Sequence, residues 1–185
     1  MNITVYIGAE RGKDPKYEKA AKELGYQIAQ DGDVLVYGGS DTGLMGILAD
    51  AVLSRNGKVI GVELQKFKDE GFTKQDLTQL IVAQDMQERK KQMMHLGDVF
   101  IAFPGGTGTL EEITEVMSAV SLDLLAGPCI VYNLDGYYDR LKELLETMRT
   151  EGFSNSERQK KIFFAKDLKE IKDIIAASSS RVLNA

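Results

Sequence analysis

The chain has 185 residues, 43% of them hydrophobic and 28% charged, which is ordinary for a soluble globular domain. Its formal net charge of −5 argues against nucleic-acid binding, which needs a basic face. The single cysteine excludes an internal disulfide, and the single histidine excludes a His-rich metal site. Without a long apolar run, a membrane helix or secretory signal is not expected, so the composition predicts one cytoplasmic domain.

Short apolar runs alternate with helical spacing from one end of the chain to the other. The strands predicted from these runs cover residues 3–7, 34–37, 59–64, 80–83, 99–103, 130–132 and 163–164. The predicted helices cover residues 15–30, 44–55, 86–96, 110–125, 137–149 and 168–177, with an irregular polar loop at 65–78.

Strands that are apolar on both faces, each followed by a helix, favour a parallel sheet covered by helices on both sides. The prediction is therefore a single-domain α/β fold, a Rossmann-like doubly wound parallel sheet. It would span residues 1–177, and residues 178–185 are expected to fray. Ligands of such folds bind outside the carboxyl ends of the strands, in the turns that lead to the helices.

Two of these turns are rich in glycine, after the second strand (residues 38–43) and after the fifth (residues 104–109). Glycine lets the backbone approach a ligand closely, and the following helix presents free amides and the positive end of its dipole. Two turns with three glycines each indicate an anion site. Neither carries a Gly-Lys-Ser/Thr sequence, and neither fits the dinucleotide fingerprint, so a Walker loop and NAD binding are disfavoured.

Glu112 follows the second of these turns, and its local sequence has two interpretations. Thr109 and Glu112 have the spacing of a capping box, in which the glutamate only closes the start of a helix. Alternatively, Glu112 stands beside the anion site and stabilises a ribosyl cation or orients water, as glycosidase carboxylates do.

Arg89 falls between Met86 and Met93 on one stripe of a predicted helix, away from its solvated face. A partly buried guanidinium needs an anionic or carbonyl partner. That partner is either a core carboxylate or, in the functional interpretation, a phosphate, a ribose or Glu112. Lys90 flanks the same stripe but can extend outward to solvent.

These residues carry a resemblance to a known family. Met86–Met93 (MQERKKQM) and Pro104–Glu112 (PGGTGTLEE) resemble the signature of the Lonely Guy (LOG) family of cytokinin riboside 5′-monophosphate phosphoribohydrolases, formerly mislabelled lysine decarboxylases. Tyr37–Gly46 (YGGSDTGLMG) is similar to the family's second motif. The likeness extends from about residue 3 to about residue 175.

The resemblance implies hydrolysis of AMP or an N6-substituted AMP to free base and ribose 5-phosphate, without metal or organic cofactor. It implies a homodimer or larger assembly with the site near the subunit interface. Arg89 and Glu112 match the catalytic pair. The implied substrate and phosphate contacts are Gly38, Gly39, Gly43, Met86, Lys90, Gly105, Gly106, Thr107, Gly108 and Thr109.

The turn after the first strand departs from the family pattern. Members usually have Gly-Ser-Ser-x-Gly there, whereas residues 8–12 read GAERG. Ala9 lacks the hydroxyl, and the carboxylate of Glu10 would repel a phosphate. This change keeps open a rival of another class, a molybdenum-cofactor carrier of the same fold that binds without turnover. A decarboxylase would need pyridoxal phosphate on a lysine, and Lys90 and Lys91 support that only by being amines.

Overall fold

The structure is a computed structural model that describes residues 1–182, with side chains described up to residue 178. Its strands are β1 Asn2–Tyr6, β2 Val34–Tyr37, β3 Lys58–Leu64, β4 Gln79–Ala83, β5 Val99–Ala102, β6 Cys129–Tyr132 and β7 Ile162–Ala165. Its helices are α1 Lys16–Gln30, α2 Gly43–Leu53, α3 Gln65–Asp69, α4 Met86–Leu96, α5 Thr107–Ser121, α6 Asp139–Thr150 and α7 Leu168–Val182. A short 3-10 helix, Leu134–Gly136, precedes α6.

All seven strands form one parallel sheet in the order β4-β3-β2-β1-β5-β6-β7. The chain therefore starts in the middle of the sheet, builds one half outward to β4, and returns beside β1 to build the other half. This order confirms the predicted Rossmann-like α/β fold.

Both faces of the sheet are covered by helices because alternate side chains of the strands point to opposite sides. On β5, Ile101 belongs to the apolar cluster that contains Leu24 of α1 and Leu48 of α2. Its neighbour Phe100 belongs to the other cluster, which includes Met93 of α4. The sheet is thus doubly wound, and its two cores leave only the strand ends open for a ligand.

The last helix continues past the position where the sequence predicts fraying. Helix α7 runs to Val182, so the expected frayed tail is helical over residues 178–182, and residues 183–185 lie outside the described part. Ile171 of α7 is buried in the core, and the Ser178 hydroxyl donates to the Ile174 carbonyl. The Ser178 hydroxyl thus bonds the carbonyl one turn back and not a group outside the helix, so this serine is accommodated within α7 although serine does not favour a helix interior.

None of the helices within residues 1–182 combines the length and the apolarity that crossing a membrane requires.

Candidate active site

A cleft of about 1200 Å³ lies at the carboxyl ends of the central strands. It opens where β1 and β5 lie side by side, which is the point where the strand order reverses and where ligands of open α/β sheets bind. The turns after β1, β2 and β5 form its walls, with Arg89 and Glu112 inside.

The three turns contact one another closely enough to require glycine at some positions. A Cβ on Gly43, whose φ is +58°, would overlap the Ala9 carbonyl of the first turn. A Cβ on Gly105 would overlap the Thr109 side chain. At Gly106 and Gly108, in contrast, a Cβ would meet no atom within 4 Å. These last two glycines border open space, so internal packing does not account for them, and they leave room for close approach to the backbone.

The turn after β5 presents unpaired amides to the cleft. Helix α5 begins at Thr107, three residues earlier than predicted, and Gly106 caps it without a side-chain hydrogen bond. The Leu110 amide donates to the Gly106 carbonyl at 3.1 Å, and the amides that precede it have no partner inside the helix. They lie at the positive end of a 15-residue helix, which is the chemistry of an anion site.

Because α5 starts this early, Thr109 is inside the helix and no capping box forms. Thr109 is buried, and Glu112 pairs with Arg89 instead of turning back to the helix start. Of the two interpretations of Glu112, the structure therefore excludes the capping box and places its carboxylate against Arg89 in the cleft.

Arg89 is held on three sides by short contacts. Its Nε donates to the Val62 carbonyl at 2.9 Å and its Nη2 to the Gly38 carbonyl at 3.2 Å. Its Nη1 donates to Glu112 Oε1 at 2.8 Å. A Cβ on Gly38 would overlap the guanidinium, so this glycine is required for the position of the arginine. With 8% of Arg89 exposed, the guanidinium is fixed and nearly dry.

The Glu112 side chain is 11% exposed, and burial raises the pKa of its carboxyl above the ordinary value, while Arg89 opposes that rise. Desolvation thus outweighs the attraction to the guanidinium. A carboxylate of raised pKa beside a fixed cation is a suitable general base or stabiliser of positive charge.

The structure brings together most of the residues predicted for the site. The residues that line the cleft with Arg89 and Glu112 are Gly38, Gly43, Met86, Gly105, Gly106, Thr107, Gly108 and Thr109. Gly39 is not among the lining residues; its φ is +84° and a Cβ there would lie 2.8 Å from the Glu63 Cβ, so packing accounts for this glycine.

Lys90 lies outside the cleft, contrary to the expectation of a substrate contact. Its ammonium pairs with Glu111, and with Glu115 at 2.8 Å, in a separate depression between α4 and α5. Two acidic side chains on the neighbouring helix turn Lys90 away from the strand ends.

Several lining residues were not predicted from the sequence. Glu63, at the end of β3, is 1% exposed; its Oε1 accepts from the Leu64 amide, while Oε2 is buried with no hydrogen-bond partner. Burial raises the pKa of Glu63. Four aromatic side chains that were not predicted for the site also line the cleft: Tyr17, Phe67, Phe72 and Tyr137. Two signals for Glu63 were available in the sequence: its place near a strand's carboxyl end, and its departure from the proline that is usual there in the LOG family.

The first turn lines the cleft despite its unusual sequence. Residues 8–13 all border it, including Glu10. Arg11, which could offset that carboxylate, forms an exposed ion pair with Glu18 at 3.3 Å. Arg11 is thus paired with Glu18 and not with Glu10, so in this structure it does not offset the Glu10 carboxylate.

Together, the fold and cleft define a Rossmann-like α/β protein in which the start of a helix and a buried carboxylate–guanidinium pair share one cleft. A family model described as "Possible lysine decarboxylase" matches residues 45–175. A cytokinin riboside 5′-monophosphate phosphoribohydrolase of Rhodococcoides fascians is 40% identical over 168 residues, 90% of this chain and 85% of that protein. The LOG enzyme of Oryza sativa subsp. japonica is 36% identical over 169 residues, 91% of this chain and 70% of that protein.

A solved structure of a molybdenum cofactor binding protein from Rippkaea orientalis is also similar, with a TM-score of 0.70 and 24% identity, covering 95% of each chain. At that identity the likeness shows the shared fold alone. The sequence relatives and the family model show more: this chain belongs to the LOG family of phosphoribohydrolases.

Proposed function

We propose that this protein hydrolyses the N-glycosidic bond of AMP or of an N6-substituted AMP, releasing the free base and ribose 5-phosphate. The observation that carries the proposal is the Arg89–Glu112 pair, 2.8 Å apart, in the same cleft as the open amides at the start of α5. The family relatives, named phosphoribohydrolases, support the same reaction.

The 5′-phosphate would bind at the start of α5. The amides of Gly106, Thr107 and Gly108 are available there, and the dipole of α5 adds to the attraction. Thr109 supports the turn from below, because its side chain packs against Gly105. An anion held at this position would bring the ribose toward Glu112, one helical turn further along.

Glu112 and Arg89 would then act at the anomeric carbon. A water oxygen bonds to C1′ as the C1′–N bond breaks, and the bond's electron pair leaves with the base, which takes up a proton. Ionised Glu112 stabilises the oxocarbenium-like transition state or accepts a proton from the water. Arg89 opposes the effect of burial on the pKa of that carboxylate. It also orients the carboxylate, because the guanidinium is itself fixed by the Val62 and Gly38 carbonyls.

An apolar rim supports N6-substituted nucleotides as substrates. Phe67, Phe72 and Met86 line the cleft and are 36%, 46% and 43% exposed, respectively. An apolar substituent on the base would cover these side chains and remove their surface from water.

The direct test incubates purified protein with AMP and with N6-isopentenyl-AMP and follows free base and ribose 5-phosphate by chromatography. We expect the two products in equal amounts. The corresponding nucleosides, which lack the phosphate, serve as matched controls and should react far more slowly. If neither monophosphate releases base, the hydrolase proposal is wrong; stable binding of a nucleotide or pterin without product would favour the carrier alternative.

We also propose, from the resemblance, that the protein is a cytoplasmic homodimer with the cleft near the subunit interface. Light scattering after size-exclusion chromatography tests the oligomeric state, and a monomer that turns over substrate at the full rate would contradict it.

A further inference from the structure

The segment that follows β6 is fixed in an unusual backbone conformation beside the cleft. Asp135 and Gly136 both have positive φ, at 48° and 77°. The Asn133 side chain accepts from the Tyr138 amide at 2.6 Å and donates to Asp139 at 2.7 Å. These hydrogen bonds hold Tyr137 and Tyr138 in defined positions, although Asp135 adopts a conformation that non-glycine residues seldom take.

Both tyrosines donate to carbonyls of the turn after β5. The buried Tyr138 hydroxyl donates to the Phe103 carbonyl at 2.9 Å. The Tyr137 hydroxyl donates to the Gly105 carbonyl at 2.6 Å. The two rings meet edge to face with centroids 4.8 Å apart, and Tyr17 packs on the other side of Tyr137 at 6.0 Å. The ring of Tyr137 is therefore held from two sides while its hydroxyl contacts the turn.

The hydrogen bonds from Tyr137 and Tyr138 hold different peptide groups, and only one of these groups carries an N–H. In a trans peptide the C=O and the following N–H point in opposite directions, and the described chain contains no cis peptide bond. Holding the Gly105 carbonyl toward Tyr137 therefore directs the Gly106 N–H the other way. The peptide held by Tyr138 ends in Pro104, which has no N–H to direct.

Without such a contact, the Gly105–Gly106 peptide would be poorly restrained, because both flanking residues are glycines. Gly106 lines the cleft, and its Cβ position faces space with no atom within 4 Å. The direction of its amide therefore depends on a hydrogen bond from outside the turn.

We propose that Tyr137 is a positioning residue for the anion site: its hydroxyl holds the Gly105–Gly106 peptide so that the Gly106 amide faces the 5′-phosphate. The inference rests on the proposed function in placing the phosphate at this turn. It assigns to Tyr137 a role in affinity for the phosphate, whereas Tyr138, whose hydroxyl contacts the Phe103 carbonyl and the Gly105 backbone, supports the turn without directing the Gly106 amide.

The test compares wild type, Tyr137→Phe and Tyr138→Phe, each of which loses one hydroxyl. Calorimetric titration with ribose 5-phosphate and with inorganic phosphate gives the dissociation constants, and thermal melting without ligand gives the stability. We expect Tyr137→Phe to weaken both ligands about fivefold to tenfold, which corresponds to one hydrogen bond. Tyr138→Phe should lower the melting temperature and change the dissociation constants less than twofold.

With AMP as substrate, Tyr137→Phe should raise KM with kcat nearly unchanged, because the phosphate contact is made in both ground and transition states. Equal weakening by both variants, no weakening by Tyr137→Phe, or its failure to fold would each overturn the inference. These binding measurements need no turnover: wild type that binds phosphate but releases no base refutes the hydrolase alone, whereas wild type that binds neither ligand refutes the positioning role.

Discussion

Replacing Glu112 by glutamine separates the charge of this side chain from its shape. Glutamine keeps the length and an oxygen that can accept from Arg89 Nη1, a contact of 2.8 Å in the structure. It cannot become a carboxylate, so it neither stabilises a ribosyl cation nor accepts a proton. The change therefore tests the chemical role that the structure supports for Glu112.

Two opposing terms determine the effect of Glu112→Gln on stability. The hydrogen bond from Arg89 loses its charge assistance, which costs about 1 kcal/mol. The cost of burying a carboxylate that is 11% exposed disappears at the same time. We expect the free energy of unfolding to change by no more than about 1 kcal/mol, which is about 2–4 °C in melting temperature for a chain of this size.

The effect on catalysis should be much larger. Loss of a general base or charge stabiliser lowers kcat/KM by about 10²- to 10⁴-fold, or roughly 3–5 kcal/mol in the barrier. Release of free base from AMP, followed by chromatography, measures this loss.

Glu111→Gln is the matched control for this experiment. Glu111 is the adjacent residue and also pairs with a cation, but that cation is Lys90 in the separate depression outside the cleft. Its replacement should leave kcat/KM within about twofold. A folded Glu112→Gln protein that keeps wild-type activity, or equal losses in both variants, would refute the assigned role.

Three further predictions follow from the buried charges. Arg89→Lys loses the fork of donors that reaches the Val62 and Gly38 carbonyls, so the free energy of unfolding should fall by about 2–4 kcal/mol in urea titrations, with activity lost. Because burial raises the pKa of Glu112 and its ionised form is the active one, kcat/KM should fall with decreasing pH at a higher pH than for an exposed glutamate. Burial also raises the pKa of Glu63 above its ordinary value of 4.5. The protonated Glu63 side chain therefore contributes its full stability below pH 4.5, and this stability is lost as the pH rises through the raised pKa. Glu63→Gln should therefore gain stability relative to wild type between pH 4 and pH 8 in thermal melts.

Each of these has a clear contrary result. Unchanged stability in Arg89→Lys would mean that the carbonyl contacts contribute little. If kcat/KM falls with decreasing pH at the same pH as expected for an exposed glutamate, burial does not raise the pKa of Glu112. A stability difference between Glu63→Gln and wild type that does not change with pH would show that Glu63 keeps the same protonation state in the folded and unfolded chains.

The sequence alone was sufficient for the fold, because strands and helices follow from local periodicity. Helix α4 and strand β2 have the predicted bounds, Met86–Leu96 and Val34–Tyr37. The parallel arrangement followed from strands that are apolar on both faces. Helix boundaries next to glycine were less predictable: α5 starts at Thr107, directly after Gly106, which has no side chain that could mark the helix start in the sequence.

The sequence predicted site residues correctly where a sequence motif lies directly at the carboxyl end of a strand. It did not predict contacts that depend on how the helices and turns pack. Arg89 and Glu112 are 23 residues apart, and their contact exists because α4 and α5 pack on the same face of the sheet. The same packing pairs Lys90 with acids of α5 outside the cleft, which no local pattern indicates. Tyr137 reaches Gly105 across 32 residues through the turn that follows β6. Local spacing determined which side chains each helix and turn offers, whereas the strand order determined which of them meet, since hydrogen bonds and ion pairs depend on distances that only the packed sheet fixes.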